Sequence, residues 1–80
     1  MSSRNVVVHA SMLVYPRKGG HTQPYSAPCT VYGLYLADIS TLVIDVVMCD
    51  GREYYAKDLS LSDRAHFMEL LKEKLADLLF

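Results

Sequence analysis

Asp50-Gly51 is the pair of residues that most narrows what this chain can fold into. It separates two runs of strand character, Thr41–Cys49 (TLVIDVVMC) and 52–59 (REYYAKDL). A two-residue hairpin of type I′ needs a positive φ at both central positions, which Asp and Gly tolerate. The two runs are therefore expected to be adjacent antiparallel strands. In that register Val46 faces Tyr55 and Val47 faces Tyr54, and a β-branched side chain packs well across a ladder from an aromatic one. Leu42, Ile44, Val46 and Met48 alternate into one apolar face, with Asp45 on the other.

Two further strands follow from the same period. In residues 4–15 (RNVVVHASMLVY), Val6, Val8, Ala10, Met12 and Val14 share a wholly apolar face. Asn5, Val7, His9, Ser11, Leu13 and Tyr15 share a mixed one. Residues 30–37 (TVYGLYLA) set Tyr32, Leu34 and Leu36 against Val31, Gly33, Tyr35 and Ala37. Gly33 leaves a gap that a bulge or a close neighbour can use. Asp38 and Ser40 offer a turn before Thr41.

From Ser60 the period lengthens to that of a helix. Ser60 followed by Asp63 is an acidic variant of the capping box, with Ser62 as the other candidate cap. Leu61, Met68, Leu71, Leu75, Leu78 and Leu79 form one stripe, with Phe67 at its border. His66, Glu69, Glu73 and Asp77 lie opposite, and Leu70 sits among them.

The expected fold is α+β, a single domain over residues 1–80. A four-stranded antiparallel sheet carries one C-terminal amphipathic helix on one face (ββββα). The other face is expected to show Val7, Leu13, Val31, Tyr35, Val43, Val47 and Tyr54. Hydrophobic residues make up 51% of the chain, more than so small a domain buries alone. A second subunit is the expected cover, so the chain is read as a homodimer.

A long exposed loop is expected at 16–29. Its stretch PRKGGHTQPYSAP holds all three prolines and no acid. Connections of that length are more often functional or disordered than simple linkers. Arg17, Lys18, His21 and Tyr25 are the candidate partner contacts there. Tyr35, Tyr54, Leu70 and Phe80 are candidates for an oligomer or partner interface.

Several functions find no support in the residues. The histidines and cysteines show no metal-ligand spacing. No nucleophile has an oriented base beside it, and no pair of carboxylates stands at a spacing for acid–base work. Neither a phosphate loop nor a dinucleotide fingerprint is present. No catalytic residue, metal or cofactor is expected. Asp38 and Asp45 break the longest apolar stretch, so no membrane span is expected. The opening MSSRNVVVHASM lacks a basic region followed by a long apolar core. A cytoplasmic, reducing location with Cys29 and Cys49 as free thiols follows, a single Cys29–Cys49 bridge being the less common outcome.

Nucleic acid is the other partner class. The order of strands and the closing DLSLSDRAHFMELLKEKL resemble the single-stranded-DNA-binding domain of the transcriptional coactivator PC4. That family also ends its sheet with a Leu-Ser segment and a helix. The resemblance implies a dimer that binds single strands, with tyrosines free to stack on bases. Formal net charge is −1, however, and the strands carry Asp45 and Glu53 where phosphates would need cations. The favoured expectation is a small non-catalytic protein-interaction module. It would be a dimeric regulator or inhibitor of the kind found among phage and mobile-element accessory proteins.

Overall fold

The computed structural model describes residues 3–15 and 23–79. Strands β1 (Ser3–Val14), β2 (Tyr25–Leu36), β3 (Thr41–Cys49) and β4 (Arg52–Tyr54) form one antiparallel sheet in sequence order. Helix α1 (Leu61–Leu79) packs against it. The expected four-stranded sheet with one C-terminal helix is what the chain forms.

The hairpin forms as its residues require. Asp50 has φ 52° and Gly51 φ 75°, and Val47 pairs with Tyr54. The fourth strand is shorter than its pattern suggested, and Tyr55 leaves the ladder. Tyr55 N–H donates to Asp58 Oδ2 at 3.0 Å, and Asp58 N–H donates to the Tyr55 carbonyl at 2.8 Å. The two bonds close a short 3-10 turn over Ala56–Asp58. An Asp side chain competing for local backbone has overridden strand propensity. Beyond the turn Leu59 drops into the core.

β2 begins at Tyr25 rather than at Thr30, so part of the expected loop is strand. Tyr25 pairs with Val14, and Pro28 with Ser11. The ladder between β2 and β3 starts only at Cys29–Cys49. At Pro28, β2 thus has a partner strand on one side alone, where a residue without N–H is tolerated.

The sheet's faces are set by one irregularity. Tyr32 pairs with Val46 but Gly33 pairs with Ile44, leaving Asp45 as an extra residue. Such a bulge reverses the alternation along β3. Val47 and Cys49 point to the helix, and beyond the bulge so do Ile44 and Leu42. The face expected from Leu42, Ile44, Val46 and Met48 is therefore split. Val46 and Met48 share a face with Val43. The expected uncovered set is corrected likewise. Val31 and Val47 are fully buried, and Tyr35 and Tyr54 pack against the same core. Val7, Leu13 and Val43 belong to the open face.

Gly33 has a second use. A Cβ built there would lie 2.8 Å from Leu71 Cδ1 and 2.9 Å from Cδ2. The missing side chain admits Leu71 onto the sheet. α1 starts as expected, with Asp63 N–H donating to Ser60 Oγ at 3.0 Å. Its buried line is Phe67, Leu71 and Leu75. Phe67 is thus central rather than marginal, while Leu61, Leu78 and Leu79 are exposed. Full burial of Phe67 and Leu71 stabilises by roughly 1.5–3 kcal/mol each.

Candidate interaction surfaces

The side chains that α1 leaves uncovered form a sheet face with an apolar centre and polar positions around it. Its rows follow from the register. Val7, Tyr32 and Val46 make one, Asn5, Leu34 and Val43 the next, and Ser3, Leu36 and Thr41 another. Val7 and Tyr32 are each 37% exposed and Leu13 50%. The row that spans all four strands runs His9, Thr30, Met48, Glu53, from the β1 edge to the β4 edge. Thr30 Oγ1 lies 3.4 Å from His9 Nδ1. At the far edge Tyr55 O–H donates to Glu53 Oε1 at 3.0 Å. That bond, with the nearby charges of Glu53, Asp45 and Asp58, raises the Tyr55 phenol above its ordinary value. Acidic groups thus gather on the β4 side, and His9 lies on the β1 side of the open face.

A second surface lies at one end of the sheet. The last residues of β1, all of β4 and the first turn of α1 enclose a cavity of about 730 Å³. Met12 and Val14 contribute apolar side chains to it, and Tyr15 and Tyr54 aromatic ones. Arg52, Glu53, Asp58 and Asp63 supply the charged part of its lining. Tyr15 is 67% exposed. Tyr25, paired with Val14, stands beside this end and donates its O–H to Asp50 Oδ2 at 2.5 Å. The bond to that carboxylate pushes the Tyr25 phenol above its ordinary value.

The candidate residues read from the sequence are dispersed by the fold. Arg17, Lys18, His21 and Phe80 lie outside the described residues. Tyr25 is exposed beside the cavity, and Tyr54 lines it. Tyr35 and Leu70 pack against the helix-covered core, so neither belongs to the open face. Leu70 is half-buried rather than set out among the charged residues of α1.

Cys29 and Cys49 face each other across β2 and β3 as buried free thiols. Burial pushes both above their ordinary value. The neighbouring Cys49 adds to this at Cys29, and Asp50 at Cys49. No group of three or more metal-ligating side chains occurs among the described residues. No helix among them is long and apolar enough to cross a membrane.

The sequence reading missed the cavity and its Tyr15, because nothing local says that the ends of β1 and β4 approach. It missed the parity change too, although a Gly within one apolar strand and an Asp within the next are the marks of a bulge. Comparison with protein-family models, with curated proteins and with solved structures gave no match.

Proposed function

We propose that this chain is a small non-catalytic protein-interaction module, a dimeric regulator or inhibitor that binds another protein at the tyrosine-lined end of its sheet. The observation that carries the reading is the gathering of Tyr15, Tyr54 and Arg52 around one cavity, with Tyr25 held beside it by Asp50. Tyr and Arg are the residue types that most often anchor protein interfaces. A tyrosine brings a large contact area for few rotatable bonds, so little entropy is lost on binding. The same lining disfavours nucleic acid. Glu53, Asp58 and Asp63 line the cavity against one cation in its lining, Arg52, and a phosphate backbone needs cations in that place. The small size suits an accessory protein of a phage or mobile element, working in the cytoplasm.

The test compares partner classes on the intact protein. Affinity capture from host extract is run with the wild type, Tyr54→Ala and Tyr15→Ala, and a single-stranded oligonucleotide is titrated in parallel at two salt concentrations. The reading expects a protein partner held by the wild type, released by both variants and little affected by salt. Oligonucleotide binding that falls steeply with salt, with no tyrosine-dependent protein partner, overturns it.

A further inference from the structure

We infer that the open sheet face is the seam of a homodimer. The two copies lie face to face about a two-fold axis parallel to the strands, so that His9 of each copy meets Glu53 of the other. The inference deepens the reading above and rests on the dimer it contains.

Three observations lead there. The first is chemical. The centre of the face, around Val7, Tyr32, Leu34, Val43 and Val46, carries no charged side chain in its cross-strand rows. His9 stands on the β1 edge and Glu53 on the β4 edge, while Asp45, the extra residue of β3, lies along that strand between Val43 and Val46, outside the paired rows. An apolar centre with a polar rim is the anatomy of a protein interface.

The second is area. With β1 over β4 and β2 over β3, strands of 12, 12, 9 and 3 residues, about 4.8 Å apart and rising about 3.3 Å per residue, overlap across about 380 Å² per copy in projection. Two copies together bury about 760 Å² in projection, before side-chain relief is counted, against the about 1,000 Å² that a specific interface needs.

The third is symmetry, and it selects the orientation. Two sheets stack about 10 Å apart with nearly aligned strands. A two-fold axis parallel to the strands, passing between β2 and β3, turns each sheet over and exchanges its edges. β1 of one copy then covers β4 of the other, and each cross-strand row lies over itself. The row His9–Thr30–Met48–Glu53 is the one that carries a basic group at one end and an acid at the other. Its self-overlay places His9 against Glu53 twice. A two-fold axis across the strands would set β1 over β1 and leave the acidic edges facing each other. Complementary rims of this kind fix register and orientation.

Light-scattering mass and a dimer dissociation constant test this on the full chain, with circular dichroism as the check on folding. The wild type is expected to be a dimer. Val7→Lys, at an exposed position in the centre of the face, is expected to give a folded monomer. His9→Glu sets like charges opposite each other and is expected to weaken the dimer by about tenfold. Adding Glu53→Lys to His9→Glu is expected to restore it. Within one copy the two positions stand at opposite edges of the sheet, so rescue reports contact between copies. A monomeric wild type overturns both this inference and the dimer in the functional reading. A dimer indifferent to Val7→Lys overturns the seam and leaves the partner-binding end untouched. A dimer lost with Val7→Lys but not rescued by the charge exchange overturns the orientation.

Discussion

Leu71 rests on the backbone of Gly33. A Cβ at that glycine would fall 2.8 Å from the leucine's Cδ1 and 3.3 Å from its Cγ. Gly33 is also where the β2–β3 register shifts. One residue thus sets how closely the helix approaches and where the sheet changes its facing. Gly33→Ala is expected to destabilise by about 1–3 kcal/mol, the usual consequence of overpacking a filled core. Urea unfolding of the two proteins measures the difference. Leu71→Ala in the alanine background should cost less than Leu71→Ala alone, because the added methyl partly fills the space that leucine leaves.

The bulge at Asp45 can be tested by removing it. Deleting Asp45 restores strict alternation along β3. Either Leu42 and Ile44, or Val47 and Cys49, must then leave the helix side. Each choice strips the core of half of what β3 supplies to it. The deletion is expected to abolish cooperative thermal unfolding. Asp45→Asn keeps the extra residue and is expected to stay within about 0.5 kcal/mol of the wild type, as exposed substitutions do. A stably folded deletion variant would show that the bulge does not set the faces.

The Tyr25–Asp50 hydrogen bond makes a prediction at alkaline pH. The bond to the carboxylate raises the phenol's pKa in the folded protein. The folded chain then holds this proton to a higher pH than the unfolded chain does. The associated stability is complete below the ordinary tyrosine value of about 10 and is lost as pH rises through the folded value. Ultraviolet titration of phenolate should show Tyr25 ionising above that value. Asp50→Asn should bring its ionisation down, and Tyr25→Phe should remove that part of the absorbance change.

Cys29 and Cys49 should be slow to react. Burial raises both thiols, and the thiolate is the reactive form. An aromatic disulfide reagent at mild pH is expected to leave both largely unmodified in the folded protein. In denaturant both should react at once. Rapid modification of either thiol in the folded state would contradict its burial.

Ser60 tests the start of the helix. Its Oγ accepts from Asp63 N–H at 3.0 Å, and its carbonyl accepts from Arg64 N–H at 2.9 Å. Ser60→Ala is expected to cost about 1 kcal/mol in urea unfolding. Ser62→Ala, inside the first turn, should cost less.

Period-two runs made β1 and β3 readable from the sequence, since their alternation and length act locally. Asp50-Gly51 made the hairpin readable for the same reason. Local competition shortened β4, where Asp58 draws the chain into a turn that REYYAKDL does not advertise. β2 began early because Tyr25 and Pro28 take up places beside β1 that only the tertiary pairing creates. The faces were misassigned by one residue, Asp45: Gly33 marked a place for a bulge, but a period of two does not say that the next strand will supply the extra residue. The candidate surfaces fared worse for a related cause. A cavity joining Tyr15 to Tyr54 depends on how the sheet and the start of α1 come together, which no spacing along the chain encodes.

The most direct test of the account uses neighbours on opposite faces of β1. Val6 is fully buried beneath the helix, and Val7 is 37% exposed on the open face. Methyl nuclear magnetic resonance with a soluble paramagnetic agent reads solvent access at each. At concentrations that favour the dimer, Val7 is expected to be shielded nearly as well as Val6, and to become accessible on dilution. Val7 methyls that stay strongly broadened at every concentration would contradict a sheet face covered by a second copy.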